Sequence, residues 1–309
     1  MPALGRLFVT PADLGRKVSI RYLDEAQLTD VLGQLVDWKP GWFLVKNKHD
    51  DLIKVPTSQI VASKVVPPAA AAGWVLSMAL KVWRASETEA MGDWTLQATG
   101  GGTARVNSCL LVGQPNVPVI NALQNIVTWY QEKNLAPLVH LSAPGVFDED
   151  LKNFGFKKTY LIDFLSKENV TASVTFEFLI EDSLSNAWLD AVNKNNGEGR
   201  RLDAVTLVSG EVVKFISLFK DDEIIATARL AIAEDFALVT NLWVAENHRQ
   251  KSIASEMMKL IENLALKSGI KRTWLQVLST NQAAQRLYQK IGYQRHHHYQ
   301  YWAYKPERD

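Results

Sequence analysis

The chain has 309 residues, more than the roughly 100–200 that a single core usually organises, so two or three domains are expected. Its 34 lysines and arginines against 33 aspartates and glutamates leave a net charge of +1. That balance excludes the overall electrostatic footprint of a dedicated nucleic-acid or membrane-surface binder and leaves open only a local basic patch. The single cysteine, Cys109, excludes an internal disulfide, and with no cysteine or histidine partner at zinc-ligand spacing no metal is expected.

Residues 1–10 carry one arginine and too short an apolar stretch for a secretory signal. No apolar run approaches the about 18 residues of a membrane span, and a cytoplasmic location is expected. From Arg16, RKVSIRYL alternates polar and apolar side chains, and LTDVLGQLVDW, WFLVKNK and LIKVP repeat that period, with turn signals at Pro40-Gly41 and Asp50-Asp51. Several short strands in about 60 residues suggest a small antiparallel barrel. Val55-Pro56 followed by Ser58-Gln59-Ile60-Val61 resembles the short turn and last strand of an SH3-like or Tudor-like barrel. Such a barrel either docks on the rest of the protein or binds a peptide; Trp38, Trp42 and Phe43 could line a groove or fill the core.

Val65-Val66-Pro67-Pro68 and four alanines mark a boundary, because the prolines stop a strand and the alanines start a helix. The second unit shows a helical stretch at 74–83, then WTLQATGGGTARVNSCLLVG, read as two strands around a bend. A helix follows at 119–133, with Ile120, Leu123, Val127 and Tyr130 on one face. LVHL reads as a strand, DEDLKNFGF as a short helix ending at Gly155, and KKTYLIDFL as a strand.

The third unit repeats that order. Strands are expected at 215–219, 224–232 and 236–244, then a helix at 252–268 with Met257, Leu260, Ile261 and Leu264 inward and Gly269 at its end. The strand TWLQVL, a helix at 281–291 closed by Gly292, and an aromatic strand pair complete it; 175–180 and 183–193 supply a leading strand and helix. Laying Phe154-Gly155-Phe156 on Ile291-Gly292-Tyr293 aligns the two units. The expected domains are 1–68, 69–170 and 171–309.

LWVAENHRQKSIASEMM joins a strand to a long helix through a polar loop. The first helical amides there have no intrahelical partner and sit at the positive end of the helix dipole, which favours a phosphate. Val244, then His248-Arg249-Gln250-Lys251-Ser252-Ile253-Ala254, resembles motif A of the GNAT N-acetyltransferases, and Asn281, Ala284, Leu287-Tyr288 and Gly292-Tyr293 resemble motif B. The order of all three units resembles actinobacterial tandem-GNAT proteins with an N-terminal SH3-like barrel. The implied fold is α+β, tandem GNAT folds with the first degenerate, behind a small barrel.

The resemblance implies acetyl-CoA as co-substrate, with Leu242, Trp243 and Val244 against pantetheine, Arg249, Gln250, Lys251, Ser252, Ile253 and Ala254 around the diphosphate, and Asn281 capping its helix and reaching pantetheine. Tyr288 would protonate the departing thiolate; it also reads as a core tyrosine with a backbone partner. Ser252 stands where the family has glycine. Under the same alignment Tyr288 falls on Leu151 and Arg249 on Val112, so the middle unit lacks both devices.

The implied reaction is attack of a primary amine, small molecule or protein, on the acetyl carbonyl, polarised by a backbone amide near Val244 at a splay after the fourth strand. Glu177, Glu234, Asp235 and His298 are open as general base, as is a water chain. A non-catalytic acyl-CoA sensor or scaffold is the alternative. His296-His297-His298 reads as a wet strand surface, because alternate side chains of a strand face opposite sides. Arg105 reads as a surface ion pair or a contact to an anionic substrate, and 195–201 as a plain loop or a lid. No membrane or nucleic-acid partner is expected, and no oligomeric state is implied.

Overall fold

A computed structural model describes residues 9–305 apart from 16, 26, 48–50, 66–67, 101 and 197–200. Asp50 of the expected turn, Pro67 of the boundary and most of the 195–201 loop lie outside the described residues. The chain divides into two compact units, Met1–Ala71 and Ala72–Asp309.

The first unit is a five-stranded antiparallel sheet: β1 (Lys17–Asp24), β2 (Gln27–Lys39), β3 (Trp42–Asn47), β4 (Leu52–Pro56) and β5 (Ile60–Val65), in the order β4-β3-β2-β1-β5. Period-two alternation drives it, since Val18 and Ile20 of β1, Val31 and Leu35 of β2 and Val45 of β3 all turn inward. A short 3-10 turn, Thr57–Gln59, joins β4 to β5. Of the three aromatics only Phe43 is fully buried; Trp38 stacks 3.9 Å from it, and half-buried Trp42 lies under Lys54 at 4.8 Å.

The second unit opens with α1 (Pro68–Val82), β6 (Glu87–Met91), β7 (Trp94–Ala98), β8 (Cys109–Leu110), α2 (Val119–Glu132), β9 (Leu138–Ala143), α3 (Asp148–Asn153) and β10 (Phe156–Glu168). It continues through β11 (Leu179–Glu181), α4 (Asn186–Asn196), α5 (Ala204–Leu207), β12 (Val212–Lys220), β13 (Glu223–Ala233) and β14 (Phe236–Val244). It ends with α6 (Ile253–Lys267), β15 (Arg272–Leu278), α7 (Gln282–Lys290) and β16 (Gln294–Tyr304). β6 escapes sequence reading because four of its five residues are exposed and show no alternation. The expected aromatic strand pair is one strand, β16, and the leading strand contracts to β11.

The order β6-β7-β8-α2-β9-α3-β10 recurs as β12-β13-β14-α6-β15-α7-β16, with β8 parallel to β9 and β14 parallel to β15. Both short helices, α3 and α7, end on a glycine in left-handed conformation, Gly155 at φ 100° and Gly292 at φ 96°, where a side chain would be strained. The eleven strands form one sheet, β11-β12-β13-β14-β15-β10-β16-β9-β8-β7-β6. The two last strands are exchanged: β10 lies between β15 and β16, and β16 between β10 and β9. Leu165 of β10 therefore belongs to the core under α6 and α7, and Trp302 of β16 to the core under α2 and α3. On the opposite face α1 packs Val75, Leu76 and Val82 against Phe164, Leu238 and Trp274.

Candidate active site

β14 and β15 run side by side only from Ala237 to Val239 and from Thr273 to Leu275. Beyond that they part, leaving one edge of 240–244 without a strand partner. The cause is local: Asn241 has φ 54°, and the β13–β14 register shifts between Thr227 and Arg229. Asparagine tolerates this conformation better than most residues, and the Asn241 carbonyl accepts a bond from Thr227 Oγ1 at 3.1 Å. This bulge produces the expected splay, and an asparagine inside a β-forming run is its only signal in the sequence. Past it, Leu242 and Val244 pack on the core beneath α6 and α7, and Trp243 alternates to the other face.

The loop from β14 to α6 makes a 3-10 turn at Glu246–His248 and then two left-handed residues, Gln250 at φ 60° and Ser252 at φ 62°. Ser252 is the N-cap of α6 but makes no side-chain cap, and it is exposed. Arg249 donates from Nε to the Val244 carbonyl at 3.1 Å, and Lys251 from Nζ to the Asn247 carbonyl at 3.2 Å. Both cations thus fold back on the loop and stay exposed. Ile253 is only 4% exposed, so its side chain anchors the helix to the core and only its backbone faces the loop; Ala254 is half-buried. The first amides of α6 combine missing acceptors with the positive helix end, an anion seat.

α7 begins where Asn281 Oδ1 accepts from the Ala284 N–H at 3.1 Å. Ala284 and Leu287 pack on the same core as Leu242 and Val244. Tyr288 is 8% exposed, and among the described residues its hydroxyl has no hydrogen-bond partner. The core tyrosine beside it behaves differently: Tyr293 shares a 2.6 Å bond with Thr273 Oγ1. Burial pushes Tyr288 up to about 12, and the nearby Arg105 charge opposes the rise. At neutral pH it therefore holds its proton, with no acceptor among the described residues. Two motifs almost thirty residues apart in sequence meet on one core, and the side chains named for them lie along its edge.

Glu234 and Asp235 occupy the turn before β14, and Glu234 pairs with Lys81 at 2.5 Å. A strand rise of about 3.3 Å per residue puts them about 30 Å from Val244, which removes both as general bases. Glu177 is exposed. His298 lies 2.5 Å from Asp163, a buried carboxylate that also takes a bond from Gln285 of α7. The three histidines are not a wet surface: His297 is 6% exposed, stacked 5.2 Å from Phe164, and burial pushes it down to about 3. A register shift in β16 between the partners of Phe164 and Leu165 breaks the simple alternation. Among the described residues no group of three histidines, cysteines or carboxylates could hold a metal.

Arg105 is not a surface ion pair. Its guanidinium lies over the Trp83 ring at 5.7 Å, and among the described residues it has no carboxylate partner.

The repeat shows why the first half offers no second anion seat. α2, β9 and α3 begin at the same separations as α6, β15 and α7, which places Arg249 opposite Pro115 rather than Val112, and Ser252 opposite Pro118. α7 is longer than α3, so alignment on the two glycines slips along the preceding elements. Two prolines delete two amides, and the Gln114 amide already donates to Asp93 at 2.9 Å.

Residues 180–293 match the acetyltransferase (GNAT) family model, and residues 12–64 match the Rv0428c N-terminal Sm-like domain. A curated relative, an uncharacterized N-acetyltransferase called YobR from Bacillus subtilis (strain 168), is 24% identical over 238 residues, 72% of this chain and 95% of its own. Among solved structures, a GCN5-related N-acetyltransferase from Kribbella flavida superposes with a TM-score of 0.58 at 17% identity, covering 76% of this chain and 96% of its own. A putative GNAT-family acetyltransferase from Novosphingobium aromaticivorans DSM 12444 gives 0.51 at 14%, covering 77% and 97%. These structures share the fold. No helix among the described residues is long and apolar enough to cross a membrane.

Proposed function

Since residues 180–293 form a GNAT N-acetyltransferase domain behind an Sm-like domain, we propose that the chain transfers an acetyl group from acetyl-CoA to a primary amine by direct attack in a ternary complex. Acetyl-CoA supplies the activated acyl group as a thioester. The α6 amides with Arg249 and Lys251 hold its diphosphate, and Leu242 to Val244, freed from β15, line its pantetheine arm together with Asn281. Ser252 fits this role because its amide is retained, its side chain is exposed, and its hydroxyl is free to donate.

The amine nitrogen forms a bond to the carbonyl carbon, and a backbone amide near Val244 stabilises the charge that develops on oxygen. The carbon–sulfur bond then breaks, and the Tyr288 hydroxyl gives its proton to the departing thiolate. The ammonium proton of the acceptor leaves before attack, to water or to His298, and the second proton, lost from the nitrogen as the amide forms, returns to the Tyr288 oxygen, so that the tyrosine is restored and free CoA thiol departs.

The unpartnered Tyr288 hydroxyl on α7, in the same core as the free end of β14, carries this reading. Replacing it with phenylalanine should lower kcat by about 10²-fold or more, while calorimetric titration shows acetyl-CoA binding nearly unchanged. Undiminished turnover would remove Tyr288 from the chemistry. No heat with millimolar acetyl-CoA would remove the acetyltransferase reading, and binding without CoA release across an amine panel would indicate a sensor.

A further inference from the structure

A cavity of about 20 Å³ lies on the α1 face of the sheet, bordered by α1, the turn Ala104–Val106, β9, β15 and β16. That volume holds one or two water-sized groups. Arg105 reaches it from the turn, and its charge has no carboxylate to neutralise it among the described residues. A second guanidinium, Arg229, lies 5.3 Å from the same Trp83 ring, fully buried, with its donors directed at backbone carbonyls. Both charges near the cavity are therefore positive. His140 adds none, because burial pushes it down to about 3 and keeps it neutral.

Tyr301 also lines the cavity. It is 2% exposed, and its hydroxyl has no hydrogen-bond partner of good geometry, although Ser108 and Tyr299 are near. A buried hydroxyl without a well-aligned partner, beside a guanidinium that meets the Tyr299 hydroxyl but no carboxylate among the described residues, suits an anion. Gln276, on the wall, is the residue after Leu275, the last in β15 to pair with β14. The cavity thus borders the opening between those strands, and the Arg105 charge is felt at the Tyr288 hydroxyl.

We propose that Arg105 and Tyr301 bind the carboxylate of the acceptor, so that the amine acetylated at this site belongs to an amino acid. This rests on the acetyltransferase reading and specifies its substrate class. The cavity has room for a carboxylate head and not for a side chain, so the remainder of the acceptor lies toward the β14–β15 opening. Fixing one end of a small acceptor in this way also orients its nitrogen.

The test compares each of the twenty L-amino acids with the amine left when its α-carboxylate is removed, using the full chain. Binding is read first by thermal shift without acetyl-CoA, then by KM for CoA release. At least one amino acid should shift the wild type while its decarboxylated counterpart does not. Arg105→Gln should weaken that amino acid about tenfold or more, Tyr301→Phe should weaken it less, and Arg105→Lys should retain part of the binding. Acetyl-CoA affinity should be unchanged in all three variants, which also reports that they fold. No shift with any amino acid, an equal shift with the decarboxylated amines, or a shift that survives Arg105→Gln would overturn the proposal. Failure of the wild type to bind acetyl-CoA would instead overturn the acetyltransferase reading, because the carboxylate measurement does not use the cofactor.

Discussion

Ser252 holds a backbone conformation that costs a residue with a Cβ roughly 1–2 kcal/mol. Glycine adopts it freely but gives part of that back through a more disordered unfolded chain. Ser252→Gly is therefore expected to raise stability by about 0.5–1 kcal/mol in urea unfolding without weakening acetyl-CoA binding. A lowered midpoint would mean that the hydroxyl stabilises the loop in a way its lack of a cap does not reveal. His140 sets a pH dependence of definite sign. Its folded pKa, about 3, lies below the usual 6.5 of an unfolded histidine. The unfolded chain thus binds the extra proton between those values, and stability falls as pH drops below about 6.5. At pH 5 the loss from this residue has a ceiling of about 2 kcal/mol. His140→Phe should flatten the fall in melting temperature between pH 7 and 5; an unchanged slope would assign that limb to other groups.

Arg229 joins elements that sequence alone could not connect. From β13 it donates to the carbonyls of Val82 at the end of α1, and of Leu207 and Ser209 at and beyond the end of α5. Cationic donors at helix C-termini satisfy carbonyls that have no intrahelical partner. The residue is fully buried, so Arg229→Met would leave three buried acceptors unpaired. The expected loss is about 3 kcal/mol or more, with Arg229→Lys recovering a fraction because a single ammonium cannot reproduce the planar fork. Unfolding midpoints decide it: a loss below about 1 kcal/mol would mean that water replaces the guanidinium. The Asn241 bulge is the matching device at the site, since it turns the end of β14 away from a ladder that would otherwise close over it.

At the scale of the whole molecule, the exchange of β10 and β16 makes 72–309 one folding unit. A chain cut to 171–309 would lack β10, leaving β15 and β16 with a missing neighbour and Leu165 absent from its core. Such a fragment is expected to be insoluble or molten by near-UV circular dichroism, whereas 72–309 folds. The intact chain is expected to unfold in two denaturant steps, the Sm-like unit at lower urea because a core of this size is marginal. A cooperative, folded 171–309 fragment would contradict the exchange.

Much of this was legible in order along the chain. Period-two alternation places the strands of the first unit, period 3.6 places α2 and α6, and two spaced motifs locate the β14–α6 loop and α7. Those are local properties, decided by residues within a few positions of one another. The sequence could not place β10 beside β15, or Arg229 against two helix ends, because these pairings join residues far apart whose patterns fit other partners equally well. It misread the three histidines, and left Arg105 open between a surface ion pair and an anion contact, for a related reason: polarity suggested water, and only tertiary packing determines which polar groups are enclosed. The sequence by itself determined the strands of the first unit, the anion-seeking loop and the tyrosine helix. Only the tertiary structure decided that the tyrosine hydroxyl is unpartnered and that an unneutralised arginine shares its surroundings, since each depends on which distant segments fail to meet.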